Sequence, residues 1–536
     1  IAIQSNQNDQ HGGQSIPNFE YAMAKGVKVT YKKEHLKNLT KAIELLTDEK
    51  EPEKFASYIV KSIKYDKDLL ATYKDSNGYL KVERQYLSKY LDKNIIKKVQ
   101  EFCVKYTEKE VEKATYQAME AFIHNLNTMH SRAGAQVPFS SINYGLDTSP
   151  EGRLVMKELL YATEAGLGNG ETPIFPIQIF RVKDGINYNP TDPNYDIFKL
   201  SCRVSAKRLF PNFSFIDAPF NLKYYRRGDY NSEVAYMGCR TRVMANVYDP
   251  SKEVTCGRGN LSFTSINLPR LGIEAKGDIE KFFEMLDEKM DLVIDQLKAR
   301  FEIQANKHVY NYPFLMGQHV WLDSEKLKNT DKVGEVLKHG TLTVGFIGLA
   351  ETLKALIGKH HGESEEAREL GLKIITHMRQ RVDEESQKEK LNFTLLATPA
   401  EGLSGRFVKI DKKKYGVIEG VTDREYYTNS FHIPVYYKIS AFNKIKIEAP
   451  YHELTNGGHI SYVELDGDPT KNLQAFEQII RCMKESGIGY GSINHPVDRD
   501  PICGFTGIIK DVCPCCGRKE FEEIEKVSER ILRIRR

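Results

Sequence analysis

The chain has 536 residues, 77 of them basic and 73 acidic for a net charge of +4, with 40% hydrophobic and 28% charged residues. These are the proportions of a protein that buries a real core, and the near-balanced charge gives no footprint for nucleic acid or an anionic membrane. No stretch approaches the roughly 20 apolar residues of a membrane span, and the opening IAIQSNQNDQHGGQS lacks the charged start and apolar run of a signal peptide. A cytoplasmic protein is expected.

From about Lys33 to Asn127 apolar residues recur at helical spacing with Lys and Glu between them. The plain reading is core-facing helices with solvated charged faces, although some of these faces could instead pair two copies of the chain. Between Ser131 and about Ile273 the texture changes. PIFPIQIF, RLFPNFSFI and GNLSFTSINL are short, aromatic or β-branched, and bounded by Gly, Pro, Asn and Asp, so they read as strands ending in loops. Helical spacing returns over Ile279–Ala305 and again after Gly345. Strands alternating with helices predict an α/β architecture, open or closed. With no internal repeat and no low-complexity linker, one boundary suggests itself, near Asp466. It separates residues 1–465 from residues 466–536, which hold the helix QAFEQIIRCMKES and a cysteine cluster.

Five of the nine cysteines are scattered, while Cys503, Cys513, Cys515 and Cys516 fall within 14 residues. So tight a group points to a metal site and not to a disulfide framework. Cys513 and Cys516 form a C-x-x-C knuckle, and Cys503 lies a hairpin's length upstream, followed by glycine. This is the pattern of a structural zinc ribbon with three thiolates. The residue expected to complete the upstream pair is Asp500, so the fourth ligand is left among Asp500, His495, Cys515 and water.

Several loops are too particular to be generic: SRAGAQVPFSSINYG from Ser131, MGCRTRV from Met237, GRGNLSFTSINLPR from Gly257, HGTLTVGFIGLAETL from His339 and LLATPAEGLSGRF from Leu395. Taken singly they say little. A lone Cys239 beside a glycine is usually structural, and ATPAEGLSG is a weak phosphate-loop signal. In this order, together with HGGQS at His11 and SINHPVDRD before the cysteine cluster, they closely resemble the anaerobic (class III) ribonucleoside-triphosphate reductases, a glycyl-radical enzyme family.

The resemblance implies a ten-stranded α/β barrel of two half-barrels, with a finger loop through its centre and a zinc ribbon after it. It implies a cytoplasmic homodimer that reduces ribonucleoside triphosphates for DNA precursor synthesis under allosteric control by nucleotide effectors. A radical-SAM iron–sulfur activase would install the stable radical. On this resemblance Cys239 matches the thiyl-radical cysteine that takes the ribose 3′ hydrogen before water leaves C2′. Met237 matches a residue near the substrate in formate-using members, which leans toward formate over a thiol protein as reductant. Asn260 matches a pocket asparagine able to bond a ribose hydroxyl. Thr398, Pro399, Ala400, Glu401, Gly402 and Ser404 match the phosphate-cradling loop, in which Glu401 is expected to point aside because a carboxylate would repel phosphate.

Two departures accompany the matches. The family carries a strand with a second active-site cysteine upstream of the HGGQS motif, and a radical-bearing RxxGY loop after the ribbon. This sequence opens inside the first motif and has no glycine after Gly517. A fragment, inactive alone, is therefore expected, the alternative being an inactive paralogue of the family. Another glycyl-radical enzyme is less fitting, because such lyases use adjacent barrel cysteines and the one Cys-Cys pair here, Cys515–Cys516, lies in the cluster. A nucleic-acid-binding ribbon protein would have no need of the other 450 or so residues.

Overall fold

The computed structural model describes residues 2–10, 12–130, 136–238, 240–509, 511–519 and 525–526. Its N-terminal part is helical, as the periodicity predicts, with helices Phe19–Leu46, Pro52–Lys67, Tyr79–Leu87 and Lys93–Thr128. In the last of these Ile96, Val99, Cys103, Thr107, Val111, Thr115, Met119 and Ile123 are buried at intervals of three and four. That stripe lies against Phe19–Leu46 and the later helix Pro150–Ala165, while the Lys and Glu between face water.

The strands, in chain order, are β1 (Gln14–Ile16), β2 (Ser140–Tyr144), β3 (Ile177–Val182), β4 (Asn212–Phe215), β5 (Tyr236–Met237), β6 (Thr241–Arg242), β7 (Asn260–Asn267), β8 (Thr341–Ile347), β9 (Asn392–Ala397), β10 (Ser461–Glu464) and β11 (Tyr490–Asn494). The first sheet runs β1-β2-β3-β4-β11-β10 and the second β7-β8-β9. β1 to β4 are parallel to one another, β11 is antiparallel to β4, and β10 is parallel to β11. β7, β8 and β9 are parallel as well. β2, β8, β9 and β11 are buried along their whole length, which is how parallel strands with both faces covered are built.

The two sheets are joined where β9 pairs in parallel with Gly458, just before the chain enters β10. Ala397 N–H donates to Gly458 O at 3.0 Å. Gly458 adopts φ +139°, and a Cβ there would lie 2.3 Å from Arg240 O. Only glycine lets the three backbones converge. The strands thus fall into two sets, β1–β4 in one direction and β7–β11 in the other, with β1 and β7 as the outermost strands among the described residues. Each set has its own apolar core, and a third cluster containing Ile179, Tyr236, Ile460 and Tyr490 lies around the hairpin β5–β6.

The segment read as strands and loops also contains two helices, Pro150–Ala165 and Tyr195–Arg208. Each carries a polar stripe at helical spacing, Arg153, Lys157 and Glu164 in the first and Asp196, Lys199, Arg203 and Lys207 in the second, but the stripes are short and lie between the aromatic and β-branched runs that dominate the segment. Likewise the stretch after Gly345 begins as strand β8 and turns helical only at Leu349. Helix Leu473–Glu485 and β11 belong to the first sheet's layer, so that sheet runs across the boundary placed near Asp466. The last small sheet, β13-β12-β14, is made of β12 (Asp498–Arg499), β13 (Thr506–Gly507) and β14 (Glu525–Lys526). Among the described residues no helix is long and apolar enough to cross a membrane.

Candidate active site and metal cluster

The hairpin β5–β6 pairs Tyr236 with Arg242 and Met237 with Thr241. Its turn is entered through Gly238, whose φ is +56° and where a Cβ would press to 2.8 Å from the Phe139 ring. From the first sheet, Ser141 Oγ accepts from Gly238 N–H at 3.0 Å and Tyr490 O–H donates to Gly238 O at 3.0 Å. Asn143 clamps Tyr236 by accepting from its N–H at 3.0 Å and donating to its carbonyl at 2.7 Å. From the second sheet, the buried Arg240 donates through Nη1 to Ala397 O at 3.0 Å and Thr398 O at 2.7 Å. His459 N–H in turn donates to Arg240 O at 3.2 Å. Gly238 and Arg240, on the two sides of the turn, are therefore held from different sheets. Met237 is half-buried, and Gly13 of the HGGQS motif approaches so closely that a Cβ there would meet Phe139 at 2.4 Å and the Met237 sulfur at 3.1 Å.

Thr398, Pro399 and Ala400 follow β9 directly and lead into helix Glu401–Tyr415. Thr398 and Ala400 are buried, and Ser404 lies buried in the first turn, while Gly402 is exposed. Thr398 Oγ1 is 2.8 Å from Ser265 Oγ, and Ala400 N–H donates to Asn429 Oδ1 at 3.2 Å. A helix N-terminus with small residues and inward-turned hydroxyls suits an anion, because its first amides and the helix dipole both favour negative charge.

Beside the loop lies a narrow cleft of about 50 Å³ lined by Thr428, Asn429, His432, Lys444, Tyr462 and Asn494 among others. It touches both anchors, for Asn429 bonds Ala400 and the Tyr462 ring lies 6.0 Å from the Arg240 guanidinium. Behind it Glu448 is fully buried and accepts from Ile433 N–H at 3.0 Å and Ser461 Oγ at 2.7 Å, with Lys444 Nζ 3.3 Å away. Burial resists the Glu448 charge, but Lys444, His432 and the Ser461 hydroxyl hold its carboxyl well below the usual range. Burial pushes His432 down to about 4 and His452 down to about 3, so both imidazoles are neutral.

In the C-terminal turn, Asp500, Cys503, Cys513 and Cys516 bring one ligand atom each within 4.8 Å of all the others. Cys503 and Cys513 sulfurs are 3.6 Å apart, and Cys516 Sγ is 3.1 Å from Asp500 Oδ2. The knuckle is closed by Gly517 N–H donating to Cys513 O at 2.9 Å. Asp500 Oδ1 is held by Ile502 N–H at 2.9 Å, leaving Oδ2 toward the sulfurs. Three sulfurs and one carboxylate oxygen converging on a point are a donor set for one tetrahedral ion. A second group, Asp249, Asp323 and His339, also converges, but Lys252 Nζ sits 2.6 Å from Asp323 and supplies the positive charge itself.

Residues 1–533 match the model of the anaerobic ribonucleoside-triphosphate reductase family. The chain belongs to that family. It is 35% identical over 435 residues to the anaerobic ribonucleoside-triphosphate reductase of Salmonella typhimurium, covering 80% of this chain and 59% of the relative. The protein of that name from Enterobacteria phage T4 is 33% identical over 434 residues, covering 79% of this chain and 68% of the relative. The chain thus spans about 59% of the length of its bacterial relatives. In fold it resembles a solved anaerobic ribonucleotide reductase with TM-score 0.57 at 14% identity, covering 98% of this chain and 86% of the other. The Thermotoga maritima enzyme solved with dATP and CTP gives 0.56 at 15% identity, covering 94% and 89%.

Within this reductase family fold, Met237 lies in the strand that enters the hairpin turn and Thr398 is bonded by Arg240 beyond it, whereas Cys239 and the Glu401 side chain lie outside the described residues. Asn260 stands at the start of β7, two strands from the loop, with Nδ2 donating to Thr341 O at 3.2 Å and Thr341 Oγ1 at 3.0 Å. Of the four choices for the fourth metal ligand, Asp500 joins the cysteines. His495 instead bonds Ser205 O at 3.2 Å, and Cys515 is not part of the converging group. The sequence reading passed over Asn429, His432 and Tyr462. The polar run YTNSFH bounded by a proline was the available signal, though nothing local to it tells that it faces the hairpin.

Proposed function

We propose that this chain forms the body of an oxidoreductase that reduces ribonucleoside triphosphates to 2′-deoxyribonucleoside triphosphates by thiyl-radical chemistry. The observation that carries the reading is the doubly clamped hairpin, whose tip abuts the Thr398–Ser404 loop through Arg240. Cys239, between Gly238 and Arg240, takes the ribose 3′ hydrogen, so an S–H bond forms as C3′–H breaks, and water then leaves C2′. Met237 and Asn260 flank the sugar, and the loop with Ala400 and Gly402 receives the phosphates. Two sets of strands of opposite direction, meeting at β4–β11, support a ten-stranded barrel of two half-barrels that encloses the hairpin. A glycyl radical, an iron–sulfur activase, formate as reductant, nucleotide effectors and a homodimer belong to the same reading.

We infer that Cys503, Cys513, Cys516 and Asp500 hold zinc, which would tie the small C-terminal sheet together without taking part in the reaction. The deciding experiment is an anaerobic assay of the longest reading frame containing this chain, with the activase, formate and CTP. Formation of dCTP, abolished by Cys239→Ser, is expected. An activated preparation in which the Ser variant matches the wild type overturns the reading.

A further inference from the structure

A residue lining the cleft beside the Thr398–Ser404 loop carries a buried polar atom that has no hydrogen-bond partner among the described residues. His432 is 7% exposed, lines the cleft, and its Nε2 has no hydrogen-bond partner among the described residues. The opposite nitrogen, Nδ1, faces Glu448 Oε2 at 3.4 Å. Because Glu448 is anionic, the proton of a neutral imidazole sits on Nδ1, and Nε2 presents a lone pair. One of the residues that line the cleft therefore carries a fixed acceptor, of the kind that is rarely left unpaired inside a protein.

Such an atom selects a ligand group with an O–H or N–H to give. Phosphate oxygens at neutral pH mainly accept, so the group is not the anion that suits the neighbouring helix N-terminus. The distance between the two features is short in chemical terms, since Asn429 is at once a wall of the cleft and the acceptor of Ala400 N–H. In a nucleoside triphosphate the donor-bearing unit joined directly to the phosphates is the ribose. The base amino groups lie one ring further away.

We propose that His432 is a sugar-binding residue, its Nε2 accepting a hydrogen bond from a ribose hydroxyl of a nucleoside triphosphate whose phosphates lie on the Thr398–Ser404 loop. This rests on the proposed function and adds to it a residue that discriminates substrate from deoxygenated product. Glu448 is its positioning partner, fixing which nitrogen carries the proton, and Lys444 keeps Glu448 charged.

The test is a cycle between ligand and protein, read by calorimetry under anaerobic conditions without turnover. CTP, 2′-deoxy-CTP and 3′-deoxy-CTP are titrated into wild type, His432→Phe and His432→Gln. Wild type should bind one of the two deoxy ligands about 5- to 10-fold more weakly than CTP, the size of one net hydrogen bond. His432→Phe should lose that difference while binding the weaker ligand as wild type does, and His432→Gln, which keeps an acceptor, should retain part of it. If His432→Phe does not melt like the wild type, His432→Leu carries the same expectation. Equal discrimination in wild type and the folded apolar variant overturns the proposal, as does wild type binding all three ligands alike. Failure of wild type to bind any ribonucleoside triphosphate removes the nucleotide reading of the whole site, an outcome distinct from binding without discrimination.

Discussion

The β5–β6 hairpin and the C-terminal cysteine knuckle are both built on two-residue strands, and they are stabilised in opposite ways. The hairpin has only two residues in each strand, yet it is bonded to β2, β11, the end of β9 and the 457–459 segment, with the aromatic rings of Tyr236 and Tyr490 stacked 4.9 Å apart beneath it. Large cores on either side supply that frame. The knuckle has strands just as short, and its own apolar cluster consists of Ile509 and Cys513 with Cys503 and Phe505 against them. One of its ties to the main body is the ion pair of Arg499 with Glu171 at 3.0 Å. A site of the first kind is a product of the fold. One of the second kind must create its own fold, and a metal ion is the economical way to do so.

The largest effect that would sharpen this contrast is chemical. In the intact enzyme Cys239→Ser should abolish turnover completely while triphosphate affinity stays nearly unchanged, because a hydroxyl holds its hydrogen too tightly to act as carrier and the clamp does not depend on the sulfur. A thermal melt equal to wild type beside a dead enzyme is the expected pair of results. Residual turnover of a few per cent would move the carrier role to another cysteine, with Cys256 next to GRGN the first to examine.

Metal removal comes next. One zinc per chain is expected in protein purified without chelator, and Cys513→Ser or Cys516→Ser should lose most of it. Structural zinc contributes on the order of 10 kcal/mol to small domains, so hydrogen exchange over residues 498–519 should rise toward the unfolded rate. The main body should keep its protection, because its cores share no residue with the knuckle. If chelation also melts the hairpin, the two regions are coupled and the contrast fails. Asp500→Cys separates a fourth ligand from a bystander. Tighter zinc retention is expected, and weaker retention would take Asp500 out of the donor set.

How far the sequence carried differs between the same two regions. The knuckle was legible because its chemistry is local: three cysteines and an aspartate within 17 residues, at spacings that a metal requires. Which of the candidate side chains converges with the cysteines needed coordinates, since His495 lies as near in sequence and instead bonds Ser205 O. The hairpin was legible only through resemblance. Its anchors Ser141, Asn143, Thr398 and Tyr490 come from sequence positions up to 252 residues away from Gly238, and no periodicity announces such contacts. Helices Pro150–Ala165 and Tyr195–Arg208 are hidden for a different reason. Their polar stripes span only a few turns and are set among the aromatic and β-branched runs on either side, which give the segment its strand-like texture.

Arg240 tests the hairpin's frame directly. Arg240→Met leaves the carbonyls of Ala397 and Thr398 without their donor in a buried place, and should cost about 3 kcal/mol of main-body stability. Arg240→Lys should recover part of this, because an ammonium supplies the charge but not the forked geometry. Triphosphate affinity should fall along with stability in the Met variant, since the same carbonyls position the loop. The metal content should not change. A Met variant as stable as wild type would mean that the clamp from the second sheet is dispensable.

The smallest effect is a control on the same logic. Ser149 caps helix Pro150–Ala165 by accepting from Gly152 N–H at 3.1 Å, with Pro150 at the first helical position. The helix buries Leu154, Val155, Leu159 and Leu160 in the first core, far in composition and chemistry from both sulfur sites. Ser149→Ala removes one cap and should cost about 1 kcal/mol. If the main body is one frame, this loss should appear in its unfolding transition by denaturant while turnover and zinc content remain at wild-type values. A Ser149→Ala protein that loses activity without losing stability would instead show that the helix layer communicates with the hairpin through β2, which follows the helix Lys93–Thr128 and leads into Ser149. In that case the hairpin is poised by its frame and not merely carried by it, and the contrast with the knuckle becomes one of coupling as well as of size.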